Sequence, residues 1–193
     1  AGPDVVTELT ERGKRVFLDL QLHDIPNTVA GGVRAASELG VDLLTVHAAG
    51  GTAMLDAARE AAAGRIKILG VTVLTSLSGA EIESVWGREI RSIREEVGRL
   101  AELATESRLD GVVASALETS WLRRQVPEDL LIVTPGIRPS GSDRGDQSRV
   151  ATPAAAVLAG SDYLVIGRPI TQADDPAASL AAILSEIATS VEE

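Results

Sequence analysis

The chain contains no cysteine. That removes disulfides, thiolate nucleophiles and thiolate metal sites at a stroke, and it fits a reducing compartment such as the cytoplasm. Aromatic residues are nearly absent too: Phe17, Trp86, Trp121 and Tyr163 are the whole set. The core must therefore be built from Val, Ile, Leu and Ala, and a protein that stacks nucleobases along a single strand has almost nothing to stack them on. No uninterrupted apolar run approaches the roughly 18 residues of a membrane span, and no basic segment followed by an apolar block opens the chain. Positive charge is the scarcer sign, with 18 Lys and Arg against 28 Asp and Glu for a formal net charge of −10. Such a balance repels nucleic acid and anionic membrane alike, so an anionic ligand has to be met by local groups. Lysine is scarcer still, for only Lys14 and Lys67 stand among the 18 basic residues.

What the chain does have is aliphatic material, 45% hydrophobic over 193 residues, enough for a single domain spanning 1–193. Short β-branched runs alternate with stretches of helical composition, the pattern of a parallel sheet covered by helices. Strands are predicted at Arg15 to Leu20, Asp42 to His47, Ile66 to Leu74, Gly111 to Ser115, Leu130 to Thr134 and Tyr163 to Ile166. Helices are predicted near Thr28 to Leu39, Thr52 to Ala63, Ile90 to Ser107, Ala116 to Gln125, Pro153 to Ala159 and Pro176 to Val191. Thr152-Pro153 and Asp175-Pro176 read as a cap followed by the first helical residue, and Gly40, Gly64 and Gly160 stand where helices should stop. Asp19, His47, Thr75-Ser76, Ser115, Thr134-Pro135-Gly136 and Gly167-Arg168 fall at or just past the C-terminal ends of these strands, the rim on which a (β/α)8 TIM barrel carries its chemistry. The predicted class is thus α/β, a (β/α)8 barrel. A helix-like opening, Asp4 to Gly13, and only six strands predict that the first two βα units are missing from the front.

Two clusters carry candidate chemistry. In Asp19-Leu20-Gln21-Leu22-His23-Asp24-Ile25-Pro26-Asn27-Thr28, positions 19 and 21 share a strand face, with Asp24 on the loop beyond. Neighbouring carboxylates there can shift one another's titration or repel an anionic substrate group; alternatively Asp24 caps the next helix and Asp19 bonds backbone at a strand end. The second cluster joins Thr134-Pro135-Gly136-Ile137-Arg138-Pro139, Gly145-Asp146-Gln147 and Ile166-Gly167-Arg168-Pro169. Glycine admits an anion close to backbone N–H groups and arginine supplies a matching fork of donors, so a phosphate site is expected; alternatively Arg138, Arg144, Arg149 and Arg168 are solvated charges. His23 and His47 read as structural, no metal site is implied, and the alternating Arg and Glu of residues 88–99 read as a solvated helix face. Thr75-Ser76 suits hydrogen bonding to a substrate rather than nucleophilic attack.

With Val71-Thr72-Val73-Leu74-Thr75-Ser76 added, these motifs closely resemble the bacterial orotidine 5′-monophosphate decarboxylases along essentially the whole chain. The resemblance implies a homodimeric (β/α)8 barrel that makes UMP and CO2 in pyrimidine biosynthesis, in the cytoplasm, with no metal or cofactor. It places Asp19 in a charged catalytic array, and has Asp24, Ile25 and Thr28 reach the neighbouring subunit's site. It also has Thr75 and Ser76 hold the pyrimidine edge, while Pro135, Arg138, Gln147, Gly167 and Arg168 bind or flank the phosphate. A magnesium-dependent sugar-phosphate barrel with a similar Asp-x-Lys-x-x-Asp pattern fits the phosphate motifs less well.

One departure matters. Where the family carries the proton-donating lysine this chain has Gln21, and a second family lysine and a ribose-binding aspartate belong to the strands expected to be missing. Lys14 precedes its strand and Lys67 begins its own, so neither replaces them. Expulsion of CO2 leaves a carbanion without a conjugated sink, which must be stabilised electrostatically and protonated. An amide donates a hydrogen bond but carries no charge, so the expectation is nucleotide binding with crippled turnover; the alternative is an inactive nucleotide-binding form of the same fold.

Overall fold

The computed structural model describes residues 2–139 and 149–192. Six strands lie in one sheet in the order β1-β2-β3-β4-β5-β6, namely β1 (Phe17–Leu22), β2 (Leu43–His47), β3 (Lys67–Val71), β4 (Gly111–Val113), β5 (Leu131–Thr134) and β6 (Tyr163–Leu164). The helices are α1 (Pro3–Glu11), α2 (Pro26–Glu38), α3 (Thr52–Ala62), α4 (Gly79–Trp86), α5 (Ile93–Glu106), α6 (Ala116–Leu122), α7 (Pro153–Leu158), α8 (Arg168–Thr171) and α9 (Pro176–Glu192). A strand order that follows the chain without reversal contains no topological switch point, which separates this fold from doubly wound sheets and agrees with the predicted (β/α) series. No helix among the described residues is long and apolar enough to cross a membrane.

The chain divides into two compact units, residues 1–72 with 99–112, and residues 73–98 with 113–193. In the first, β1, β2 and β3 pair in parallel, and α2 and α3 pack against each other. Its core is aliphatic, with Val33, Leu44, Val46, Leu55, Ile68 and Leu69 fully buried; each such side chain stabilises the fold by roughly 1.5–3 kcal/mol. The β3 glycine, Gly70, lets Ala104 and Leu109 close onto the sheet, for a Cβ there would lie 3.2 Å from the Ala104 Cβ. In the second unit β5 and β6 pair in parallel, and Ile82, Leu122, Ile132, Ile137 and Ala156 form the core. Gly98 admits the Trp121 ring, which would stand 2.6 Å from a Cβ at that position.

Three reciprocal contacts tie strand starts together. Asp42 donates its N–H to the Val16 carbonyl and accepts the Val16 N–H on its carboxylate at 2.7 Å. Asp110 does the same to Ile68, at 2.8 Å, and Asp162 to Ile132, at 2.7 Å. These aspartates precede β2, β4 and β6, and the residues they hold stand just before β1 (Val16) or second in β3 and β5 (Ile68 and Ile132), so the device recurs with a period of two strands. Arg123 braces the last of them, bonding Asp162 and the carbonyls of Gly160 and Leu130.

Several boundaries differ from the sequence expectation. Strand β1 runs on to Leu22, so Asp19 sits mid-strand rather than at its end. The predicted helix from Ile90 begins at Ile93, and α4 precedes it where none was predicted. Helix α4 starts with a capping box in which the Ser78 hydroxyl accepts the Glu81 N–H while the Glu81 carboxylate accepts the Ser78 N–H. The Ser78 hydroxyl also donates to that carboxylate at 2.6 Å, and this bond first, with the Ser78 N–H second, holds Glu81 below the usual carboxylate range. The solvated-face reading of residues 88–99 also fails at one pair, since Arg88 grips the buried Glu96 with both guanidinium nitrogens at 2.8 and 2.6 Å.

Candidate active site

Within the first unit, the candidate residues meet at a break in strand register. Leu18 pairs with Leu44 and Leu22 with Val46, so β1 advances four residues while β2 advances two. The surplus is taken up at Asp19-Leu20-Gln21, where Gln21 has φ of +50°, a left-handed conformation unusual for a residue with a side chain. The Thr45 hydroxyl fills the gap. It accepts the Gln21 N–H at 2.9 Å and donates to an Asp19 carboxylate oxygen at 2.7 Å. The other Asp19 oxygen accepts the Gln21 side-chain amide at 3.3 Å. Asp19 and Gln21 therefore do share a face, and the reading of Asp19 as a mere backbone-bonding strand terminus is replaced by a side-chain network.

Two histidines border this network. His47 ends β2, and its ring centroid lies 5.3 Å from that of His23, just past β1. Burial pushes the His47 imidazole below its ordinary 6.5, the His23 ring adds to this, and the Asp19 carboxylate opposes it. Burial and the neighbouring ring both favour the neutral form of His47, and the two rings stand together although they lie at the ends of different strands. Thr45, wholly buried on β2, has no counterpart in the sequence reading, because a threonine inside Leu-Leu-Thr-Val-His looks like ordinary β-strand material.

Asp24 does not cap the following helix. Its carboxylate accepts the N–H of the adjacent Ile25 at 2.6 Å, and Ile25 is the residue preceding α2. Ile25 is 68% exposed, a large apolar side chain left in water, and Thr28 lies exposed in the first turn of α2.

The second unit carries the remaining candidates. Thr75 and Ser76 occupy the two central positions of a turn closed by the Leu77 N–H on the Leu74 carbonyl at 3.1 Å. Thr75 is half-buried and Ser76 exposed. After β5 the chain passes Pro135 and turns at Gly136, whose φ of +76° demands glycine. It then runs beside Val150-Ala151-Thr152, with the Arg138 N–H on the Ala151 carbonyl at 2.9 Å. The Arg138 guanidinium donates to the Ile137 carbonyl at 2.8 Å. Gly167 immediately precedes α8 and Arg168 is its first residue; both are exposed, and among the described residues nothing stands within 4 Å of where a Gly167 Cβ would be. Gln147, with Arg144, Gly145 and Asp146, lies outside the described residues.

Arg149 departs from the solvated-charge reading. It is buried, pairs with the buried Glu118 at 3.0 Å, and donates to the carbonyls of Val73 and Leu74 at 3.2 and 3.0 Å. Those are the last residues before the Thr75-Ser76 turn, so the buried pair fixes the loop's point of departure.

In the first unit a cavity of about 300 Å³ opens among Asp56, Arg59, Glu60, Glu106, Ser107 and Arg108. It collects the C-terminal turns of α3 and α5, on the side of the Asp110 contact, and brings together none of the candidate residues. Among the described residues no cluster of three His, Cys, Asp or Glu side chains could hold a metal ion.

Comparison with known proteins agrees with the motifs. The chain is 56% identical over 191 residues to the orotidine 5′-phosphate decarboxylase of Halorhodospira halophila, covering 97% of this chain and 80% of that protein. It is 52% identical over 192 residues to the enzyme of that name from Vibrio parahaemolyticus, covering 97% of this chain and 82% of that one. The crystal structure of orotidine 5′-phosphate decarboxylase from Lactobacillus acidophilus superposes with a TM-score of 0.85 at 41% identity, over 97% of this chain and 81% of that one. The family described as orotidine 5′-phosphate decarboxylase / HUMPS matches residues 1–183, and to that family this chain belongs.

Proposed function

We propose that the protein is a cytoplasmic orotidine 5′-monophosphate decarboxylase, acting without metal or cofactor and slowed by its own Gln21. The observation that carries the reading is the family match together with relatives of 52–56% identity that bear this name. In the reaction the bond between C6 and the carboxylate carbon breaks, CO2 departs, the electron pair stays on C6, and a proton delivered there completes UMP. Asp19 is assigned to the reacting end, where its charge discourages the substrate carboxylate and so favours the state in which CO2 is leaving. Gln21 stands where the proton donor is required. Its amide is held by Asp19, neutral and far too weak an acid for the task. Removing one preorganised donor typically costs on the order of 10²–10³ in rate, and a missing charge that is also the acid costs more.

Thr75 and Ser76 are assigned to the pyrimidine, and Pro135, Arg138, Gln147, Gly167 and Arg168 to the phosphate. An exposed arginine beside a glycine that leaves open space suits that last role. The working form is assigned as a homodimer in which Asp24, Ile25 and Thr28 serve the neighbouring site, as the family resemblance implies.

Loss of orotidine-monophosphate absorbance, followed with the full-length protein and with Gln21→Lys, tests the proposal. Turnover rising at least ~10²-fold in the variant is the expected result; equal, negligible rates in both, with UMP bound, would favour the second reading. That reading, a nucleotide-binding form without turnover, rests on the same neutral amide at position 21.

A further inference from the structure

A hydroxyl in a fully buried position destabilises a fold unless its hydrogen bonds are made, and Thr45 makes two, both to the one irregular stretch of β1. It is flanked on β2 by Leu44 and Val46, each without exposed surface. These are the two residues whose partners on β1, Leu18 and Leu22, bracket the surplus. The Gln21 N–H points at the Thr45 oxygen, while the Thr45 proton is spent on Asp19. The same atom thus holds the backbone of position 21 in a left-handed conformation and fixes the rotation of the Asp19 carboxylate. Position 21 and Asp19 are the pair to which the proposed reaction assigns proton delivery and charge.

We propose that Thr45 is a positioning residue: without touching substrate, its hydroxyl sets Asp19 and the side chain at position 21 in one fixed geometry. This rests on the decarboxylase reading for its consequence in turnover, but its structural half stands alone. Valine has the same shape and no hydroxyl, so Thr45→Val removes both bonds and little else; serine keeps the hydroxyl and loses a methyl group.

Two measurements separate the possible failures. In the Gln21 protein, the Cα and Cβ carbon chemical shifts of Gln21 report its φ. They should move toward ordinary extended values in Thr45→Val and stay in place in Thr45→Ser. In the Gln21→Lys background, Thr45→Val should lower kcat at least tenfold with KM within threefold of the parent, and Thr45→Ser should recover kcat to within threefold. Unmoved Gln21 shifts in Thr45→Val overturn the proposal whatever the kinetics. Moved shifts with unchanged kcat overturn its catalytic half. Absence of turnover in the Gln21→Lys parent counts against the decarboxylase reading, and the shift measurement still decides the structural claim. Should Thr45→Val not fold, Thr45→Ala carries the same deletion. If neither folds while Thr45→Ser does, the hydroxyl supports the fold and the positioning role is rejected.

Discussion

At the scale of single residues, the candidate site concentrates its cost at Gln21. A left-handed conformation in a residue with a side chain costs on the order of 1–3 kcal/mol, part of which glycine would recover at the expense of its greater freedom when unfolded. Gln21→Gly is therefore expected to raise stability by about 1 kcal/mol in urea unfolding, and a loss of similar size would show that the amide's bond to Asp19 outweighs the strain. His47 gives a pH dependence. Its imidazole titrates below 6.5 in the folded protein because burial, helped by His23, disfavours the cation. The unfolded chain takes up that proton first, so the stability contributed by neutral His47 is complete above pH 6.5 and is lost as pH falls through its folded value. His47→Gln should accordingly lose less stability than the parent between pH 7 and pH 5.5, and an identical decline in both would refute the assignment.

At the scale of elements, the aspartates before β2, β4 and β6 do for strand starts what a capping residue does for a helix. Each satisfies an N–H at the beginning of the preceding strand, and for Asp110 that N–H belongs to the wholly buried Ile68. Leaving it unpaired should cost about 1–3 kcal/mol, so Asp110→Ala is expected to lower the urea midpoint clearly. Asp110→Asn keeps an acceptor and should lower it less, and equal effects would mean that the carboxylate charge beside Arg59 matters more than the hydrogen bond. This layer was invisible in the sequence because the paired residues stand 26, 42 and 30 positions apart, and nothing local marks an aspartate before a strand as a clamp. The strands themselves were legible because buried parallel strands read as aliphatic runs, and helix ends at Gly40, Gly64 and Gly160 were legible because all three take positive φ. Helix α4 could have been found from Ser78 and Glu81, whose spacing is that of a capping box. The bulge in β1 could not, for the hydroxyl it bonds to stands on β2, 24 positions along the chain.

At the scale of the molecule, six strands in chain order and residues 1–183 matched by one family account for where the candidate groups come from. Asp19, Gln21 and Thr45 belong to one compact unit, and Thr75, Arg138, Gly167 and Arg168 to the other. With a net charge of −10, the protein as a whole repels a nucleotide, so any UMP affinity must come from particular donors and not from its overall field. That makes calorimetric titration with UMP the most direct measurement of the account, comparing the full-length protein with Arg168→Ala. Saturable binding that weakens at least tenfold on loss of the guanidinium is predicted; an affinity untouched by Arg168→Ala, or no binding by the parent, would contradict it.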